Sequence, residues 1–406
     1  MKLLKTLGLA SILALAWAGA GQAACDFKND VPLKSLSAGF QAWKSVTAAM
    51  AECGNFTAEL DQEFATKQPQ ALAANPALYQ IAGVANDSII AVLDAGTIRP
   101  LDDLVAKYGK DLSPNQIIKL NGKIYVIAMM VNAQNLLYRT DILEKLGIAV
   151  PTTYDEVLAA AEKIKAAGLV DHPLGATMKT GWNLGEEFVN MYFGFGGAFF
   201  AADGKPTVNN EAGVKTLEML KKLTAYMDPE FLVADSTYVQ QQLQQGKIAM
   251  AKLWASRAGA MDNAAESKVV GKVSSAAAPA ATAGGKPATT LWWDGASIAK
   301  NVTDAQADAA FRVVLAGMSP AMVAAHNDDA IWLIKGYKPG RLAAGAIASA
   351  QGGAPSYPVT TQMGLMHSAV GNNIADYLTG KASAQDVLAK VEAAYTTAAK
   401  EAGVLK

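Results

Sequence analysis

Apolar and polar residues alternate along the chain with two spacings, which indicates a mixture of helices and strands. Apolar residues recur at helical spacing in residues 41–52, after a strand-like run over residues 31–36. Residues 56–60 and 78–84 have the pattern of short buried strands with a helix between them. Residues 122–139 are rich in β-branched and aromatic residues, which favours further strand structure.

Three helices are marked by polar residues that can cap their first turn. Thr153 and Glu156 have the spacing of a capping box, and the helix that they begin is predicted to end at Gly168. Asn210 precedes a second helical pattern and Thr303 a third. Strands and helices in alternation predict an α/β protein with mostly parallel sheets.

The first residues have the pattern of a targeting segment. Two lysines precede an apolar stretch over residues 7–18, and residues 21–23 supply the small residues of a cleavage site. We therefore predict a secretory signal peptide over residues 1–23, removed after Ala23. Its removal leaves 383 of the 406 residues, more than one hydrophobic core usually supports, so two lobes are expected.

Charge and hydropathy exclude two classes of partner. Loss of the two lysines of the signal peptide changes the net charge from −1 to −3, which does not suit a nucleic acid or an anionic membrane. No later apolar run approaches the ~20 residues of a spanning helix, so no stable membrane insertion is expected.

The chain contains two cysteines, Cys25 and Cys53, both in the part that is exported. An even count in an oxidising compartment favours one disulfide between them, and two buried free thiols are the alternative. The closed loop would contribute on the order of 3 to 4 kcal/mol to the free energy of unfolding.

Catalytic and metal-binding signatures are not recognisable. Residues 194–199 resemble a dinucleotide fingerprint, but Phe199 stands in place of its third glycine. His172, His326 and His367 lack metal-type spacing and are interpreted as surface or satisfied core histidines. We therefore expect no catalytic residue, no metal and no cofactor.

Glu186 and Glu187 raise the possibility of a carboxylate pair for glycoside hydrolysis. Neighbouring residues on a helix point about 100° apart, whereas such a pair normally comes from separate elements. The interpretation preferred here is an acidic first turn of a helix.

Five tryptophans follow predicted strand ends or lie in loops, within two residues of small or polar residues: Trp43, Trp182, Trp254, Trp292 and Trp293. Ligands of open α/β sheets lie beyond the carboxyl ends of the strands. A flat aromatic face packs against the apolar face of a pyranose, while amides and carboxylates bond its hydroxyls. Burial in the core explains any one tryptophan more simply, but the set favours a small-molecule pocket.

Residues 274–290 are rich in alanine, glycine and proline. This composition is typical of a flexible linker. Because the apolar run Leu291–Trp293 follows at once, a strand and loop that pass between lobes is an equal alternative.

Four segments, taken in order, carry a family resemblance. They are GKIYVIAMMVNAQNLLYRTDILEKLGIAVPTTYDEVLAAAEKI from residue 122, FGGAFFAADGKPTVNNEAGVKTLEML from residue 195, GKIAMAKLWASRAG from residue 246 and GGKPATTLWWDGASIAKN from residue 284. Together they resemble the family 1 extracellular solute-binding proteins, the sugar-binding components of bacterial ABC importers. Tyr154 and Lys252-Leu253 depart from that family's usual tryptophan and Gly-Pro, so the resemblance leaves the sugar open.

The resemblance implies a two-lobed α/β periplasmic binding protein fold whose lobes are joined by three hinge crossings. The first lobe would comprise residues 24–131 and 293–345, and the second lobe residues 132–292 and 346–406. A sugar would be captured in the cleft between the lobes by hinge closure and delivered to the membrane permease subunits of an ABC importer. A monomer in the periplasm is expected.

The resemblance also implies ligand contacts, carried over by position. Trp254 would support a ring face and Arg257 would donate to a hydroxyl. Because Lys179 and Arg257 are cationic, a sugar acid is an open alternative to a neutral sugar as the ligand, and a polyol is another. A secreted carbohydrate-active enzyme is the alternative function. The complete expected set is Phe40, Trp43, Asp61, Gln62, Asn86, Asp87, Asn132, Lys179, Thr180, Trp182, Trp254, Ser256, Arg257, Trp293, Asp294, Gly295 and Tyr357.

Overall fold

The computed structural model describes Cys25 and residues 27–405, so the predicted signal peptide lies outside the described residues. The strands of the described chain are β1 Asn29–Ser37, β2 Gly54–Leu60, β3 Ile81–Ala85, β4 Ile117–Leu120, β5 Lys123–Asn132, β6 Gln134–Arg139, β7 His172–Ala176, β8 Ile248–Trp254, β9 Val273–Ala276, β10 Trp292–Ile298 and β11 Ile331–Trp332.

The helices of the described chain are α1 Gln41–Ala51, α2 Phe64–Ala73, α3 Ile89–Asp94, α4 Asp102–Tyr108, α5 Thr140–Lys145, α6 Tyr154–Ala167, α7 Trp182–Gly194, α8 Glu211–Thr224, α9 Ser236–Gln244, α10 Asp304–Gly317, α11 Pro320–Ala325, α12 Ala344–Gln351, α13 Thr361–Asn373, α14 Ala375–Leu378 and α15 Ala384–Glu401. Short 3₁₀ helices connect several of them, including Ala255–Asp262 directly after β8.

The strands form two separate sheets. The first has the order β11-β5-β10-β3-β1-β2, with β4 paired to β5, and the second has the order β7-β8-β6-β9. The α/β class is confirmed, but the expectation of mostly parallel sheets was wrong. Only β1 with β2, β1 with β3 and β7 with β8 pair in parallel among the described strands. The reason is that β5 and β10 lie side by side where the chain leaves and re-enters the first sheet, and both run antiparallel to their neighbours.

Each sheet carries its own helices and its own core, so the structure has two lobes. The core of the first lobe contains Trp43 and Phe311, both at most 1% exposed. The core of the second lobe contains Phe188, Tyr192 and Tyr395, all fully buried.

The predicted strand region at residues 122–139 splits between the lobes. β5 belongs to the first sheet and β6 to the second, with Ala133 between them. The chain passes back between β9 of the second sheet and β10 of the first. After β11, α12 packs on the second sheet, where the Gly345 amide donates to the Ser275 hydroxyl at 2.9 Å.

The three predicted helix starts are confirmed. Thr153 and Glu156 bond reciprocally as a capping box at the start of α6, which ends at Gly168 with a φ of 62°. The Asn210 side chain accepts from the Gly213 amide at 2.9 Å and begins α8. Thr303 caps α10 in the same way as Thr153 caps α6.

Residues 304–325 correct the expectation about membrane spans. Asp304–Ala325 is long and apolar enough to cross a membrane by length and composition alone, although half of it is buried inside the protein. The stretch consists of α10 and α11, which are separated at residues 318–319. Ala310 and Phe311 of α10 are fully buried in the first-lobe core, which is the packing of a core helix.

Residues 274–290 are fastened into the second lobe, as the strand-and-loop alternative expects. They include the end of β9, and Ala280 forms isolated bridges with Thr153 and Pro287. The Ala280 amide and the Thr152 carbonyl are 2.8 Å apart, which fixes this loop to the start of α6.

Cys25 and Cys53 form a disulfide, as predicted. Because 28 residues separate the two cysteines, reduction should lower the free energy of unfolding by about 3 to 4 kcal/mol through loop entropy. Denaturant unfolding with and without reductant measures this change. The double substitution Cys25→Ser with Cys53→Ser is the control, and its unfolding midpoint should be the same with and without reductant. Equal midpoints for the oxidised and reduced wild type would contradict the prediction.

Candidate functional site

Three tryptophans from different elements meet where the two lobes face each other. Trp254 ends β8, Trp292 begins β10 and Trp182 begins α7. Their ring centroids lie 6.1 Å apart for Trp182 and Trp254, 5.6 Å for Trp182 and Trp292, and 5.7 Å for Trp254 and Trp292. We call Trp182, Trp254 and Trp292 the tryptophan cluster. Trp254 is 8% exposed and Trp182 is 40% exposed, so most of the surface that the cluster offers belongs to Trp182.

Tyr357 and His367 pack against the tryptophan cluster. The His367 ring stacks on Trp182 with centroids 5.1 Å apart, and its Nε2 lies 2.7 Å from the Trp182 carbonyl oxygen. Because a carbonyl only accepts, Nε2 carries the proton, and Nδ1 accepts from the Tyr357 hydroxyl at 2.9 Å. Burial lowers the pKa of His367 to about 4, so the ring is neutral at pH 7. His367 is thus the satisfied core histidine that the sequence suggested, and it fixes the start of α7.

Glu186 lies under the cluster, and its position corrects the sequence interpretation. Both Glu186 and Glu187 follow the first turn of α7 and are at most 1% exposed, because α7 is buried on most of its circumference. The Trp292 indole donates to Glu186 Oε1 at 3.1 Å, and the Thr290 hydroxyl lies 3.0 Å from the same oxygen. Burial is the largest cause that raises the pKa of Glu186 to about 8, so its carboxyl is largely protonated at pH 7.

A buried chain of hydrogen bonds ties two of the three passages between the lobes, those next to β6 and β10, to α7. Gln134, the first residue of β6, accepts from Asn190 Nδ2 at 2.9 Å. Thr290, two residues before β10, donates to Asn190 Oδ1 at 2.8 Å. Gln134 also donates to Thr177 at 2.7 Å, and Thr177 donates to Glu187 at 2.7 Å. The second lobe therefore holds the ends of both connecting strands firmly.

The first lobe presents acids to the cluster. Asn86 Oδ1 accepts from the Trp293 amide at 2.8 Å, and Asp87 Oδ2 accepts from the Trp182 indole at 2.9 Å. The second of these bonds joins the first lobe to the second. Burial, and after it the charge of Asp87, raise the pKa of Asp294 to about 7, while an indole hydrogen bond from Trp43 opposes the shift.

Further polar residues of the expected set have protein partners in this structure. Asn132 Nδ2 and the Ser256 hydroxyl are 3.0 Å apart. Arg257 Nη1 donates to Gln240 at 2.9 Å. Lys179 Nζ lies 3.6 Å from Asp235, and the next residue, Thr180, donates its amide to the Leu232 carbonyl at 3.1 Å.

Three other residues of the expected set have partners within the first lobe. Phe40 packs against the first-lobe core, and Asp61 pairs with Lys67. Gln62 Nε2 lies 3.4 Å from the Gly39 carbonyl oxygen. For these residues the ligand contact stays a prediction.

Three further residues of the expected set belong to the first sheet or its core. Trp43 is 1% exposed, and its indole bonds Asp294. The Trp293 side chain packs on the apolar cluster that contains Ile89. At Gly295 a Cβ atom would lie 2.5 Å from the Ile127 carbonyl oxygen, so close packing of β10 on β5 requires this glycine. A ligand contact for each of the three stays a prediction.

Sequence reasoning left out of the expected set Trp292 of the tryptophan cluster and two residues that contact the cluster, Glu186 and His367. Trp292 gave a signal, because it was one of the five tryptophans near strand ends. Glu186 and His367 gave none, since their role depends on which helices pack together, and α7 packs on α13 only in the folded chain.

The comparisons with known proteins agree with this architecture. The family model described as bacterial extracellular solute-binding protein matches residues 38–321. A probable ABC transporter-binding protein of Deinococcus radiodurans is 29% identical over 302 residues, which cover 69% of this chain and 69% of that protein.

Two solved structures share the two-lobed fold. A solute-binding protein of Agrobacterium radiobacter K84 in complex with ribitol has a TM-score of 0.80 at 21% identity, over 92% of this chain and 100% of that one. Maltose-bound MalE3 of T. maritima has a TM-score of 0.76 at 18% identity, over 90% of this chain and 100% of that one. At these identities the likeness shows the fold alone.

Proposed function

The chain belongs to the bacterial extracellular solute-binding proteins, and from this premise we propose that it is the carbohydrate receptor of an ABC importer. The ligand is a sugar or a polyol held between the lobes. The observation that carries the proposal is the tryptophan cluster, whose Trp182 indole donates to the first-lobe carboxylate of Asp87 at 2.9 Å. An aromatic face beside convergent polar groups is the usual composition of a carbohydrate site.

The ligand would convert binding into a signal through the relative position of the lobes. A ligand that contacts both lobes binds the closed form more tightly than the open form. This difference in affinity sets how far the ligand shifts the protein toward the closed form. The boundaries that we propose are residues 24–131 and 293–345 for the first lobe, and 132–292 and 346–406 for the second. Closure around a ligand then presents a surface to the permease subunits.

The relatives support this ligand class by what they hold. The similar structures contain ribitol in one case and maltose in the other, so the fold accommodates both a polyol and a sugar. We further propose export after cleavage near Ala23, a periplasmic location and a monomeric state. The disulfide between Cys25 and Cys53 suits an oxidising compartment.

A thermal-shift screen of the mature protein tests the function. The protein is unfolded and refolded first, to remove any ligand carried through purification. It is then screened against monosaccharides, disaccharides, polyols and sugar acids. We expect a higher Tm with one of these classes, since a ligand at one hundred times its Kd stabilises the folded state by about 2.7 kcal/mol. No shift with any carbohydrate or polyol would contradict the proposal, and recovery of the bound compound unchanged separates a receptor from a hydrolase.

A further inference from the structure

The first-lobe wall of the cleft carries two carboxylates at one edge of the sheet. β10 runs antiparallel to β3, and Asp294 lies opposite Ala85, the last residue of β3. Asp87 follows Ala85 by two residues, and the Asn86 side chain bonds the β10 backbone at 2.8 Å between them. The two acids therefore share one small region, where the charge of Asp87 acts on Asp294.

These carboxylates have neutral partners. Asp87 accepts from the Trp182 indole at 2.9 Å, and Asp294, only 8% exposed, accepts from the Trp43 indole. Within the described residues 27–405, the groups that shift the pKa of either acid include no lysine or arginine. Two acids are thus held close together in a poorly solvated place without a protein cation, which is costly unless a proton or a ligand cation compensates.

The cationic side chains of the expected set, Lys179 and Arg257, already have partners. Lys179 Nζ lies 3.6 Å from Asp235, and Arg257 donates to Gln240 at 2.9 Å and also lies in the field of Asp235. Deeper in the second lobe, Lys252 Nζ lies 2.9 Å from Glu187. The carboxyl groups of this region that lack a cationic partner therefore lie on the first lobe.

A second feature beside the acids also suits a positive group. Trp182 is 40% exposed, and its indole nitrogen is the atom that contacts Asp87. Tryptophan faces attract cations. An ammonium has three hydrogen-bond donors and a charge, so it can bond carboxylates beside such a face, whereas a ligand carboxylate would be repelled by both acids.

We propose that Asp87 and Asp294 make this cleft select a hydroxylated ligand that carries an amino group, ahead of its neutral and its carboxylated counterparts. Asp294 is the specificity-determining residue, because it is the more buried of the two acids. The inference rests on the proposed function, since it requires the ligand to occupy the cleft between the lobes.

Matched ligand sets test the selection on the refolded wild-type protein by calorimetric titration. The sets are glucose, glucosamine and glucuronate; galactose, galactosamine and galacturonate; and sorbitol, 1-amino-1-deoxysorbitol and gluconate. In each set that binds, we expect the amine to bind at least about tenfold more tightly than the hydroxyl compound, and the carboxylate to bind most weakly. Equal affinities within a set, or the tightest binding by a carboxylate, would overturn this inference and leave the proposed function standing. Failure of all nine compounds to bind would overturn this inference, whereas the proposed function is decided by the wider thermal-shift screen.

The substitution Asp294→Asn assigns the selection to its residue. The amide keeps an oxygen for the Trp43 indole and removes the charge, so the amine-to-hydroxyl preference should fall below about threefold. Asp171→Asn, an exposed acid between α6 and β7, is the matched control and should keep the wild-type preference. If Asp294→Asn does not fold, Asp87→Asn serves in its place. A folded variant that keeps the full preference would overturn the assignment.

Discussion

Alanine at Trp254 is expected to lower the free energy of unfolding by about 3 to 5 kcal/mol and to weaken ligand binding at least about tenfold. The first effect follows from burial, since Trp254 is 8% exposed and packs edge-on against Trp292 at 5.7 Å. The second follows because Trp182, the exposed face of the cluster, loses the ring on which it lies. Chemical denaturation and titration with the ligand found in the thermal-shift screen measure the two effects.

A second substitution separates binding from stability. Trp182→Ala should weaken binding by a similar factor but lower the free energy of unfolding less, because Trp182 is 40% exposed. Val270→Ala, at an exposed apolar residue outside the cleft, is the control for both measurements. Unchanged affinity in the folded Trp254 and Trp182 variants would contradict a binding role for the tryptophan cluster.

The position of Trp254 shows what a sequence can predict about such a site. The sequence placed Trp254 among the tryptophans that follow predicted strand ends or lie in loops, and β8 does end at Trp254. The pattern could not show that Trp182, 72 residues earlier in the chain, lies over this ring. The aromatic surface predicted for Trp254 alone is therefore built from Trp254 and Trp182. The distance between the two rings depends on how α7 packs near β8 and not on local sequence.

Local signals were sufficient for the helix starts and insufficient for sheet direction. Thr153, Asn210 and Thr303 cap helices where predicted, because capping depends on bonds within three residues. The parallel or antiparallel pairing of β5 and β10 depends on where the chain passes between lobes, which no short pattern records.

Buried polar residues were the hardest to place. Glu186 and Glu187 come shortly after Trp182 and Asn183 in a segment that also contains glycines and polar residues. An exposed acidic turn was therefore the simpler interpretation. Their burial is possible because residues of other parts of the chain contact them: Lys252 pairs with Glu187, and Thr290 bonds Glu186. A carboxylate of this kind changes the pH dependence of stability.

Replacing Glu186 with glutamine should make the stability of the protein depend differently on pH. The pKa of Glu186 is raised by burial to about 8 in the folded state, against its ordinary value of 4.5. Between these values the folded protein holds a proton that the unfolded chain releases, so rising pH favours unfolding in the wild type. Glutamine resembles the protonated acid and does not titrate. Relative to wild type, the variant should therefore gain up to about 1.4 kcal/mol per pH unit from about pH 5 to pH 8.

The measurement is the denaturant midpoint of both proteins at intervals across this pH range. Taking the difference between variant and wild type at each pH removes the contributions of His367 and Asp294, which also titrate there with shifted pKa values. Glu187→Gln is the neighbouring control, and it should destabilise the protein because it leaves buried Lys252 without its carboxylate at 2.9 Å. A Glu186→Gln variant whose stability relative to wild type is the same at pH 5 and pH 8 would show that Glu186 is ionised in the folded state. The Trp292 indole would then bond a carboxylate, and the cluster would rest on a buried negative charge instead of a neutral acid.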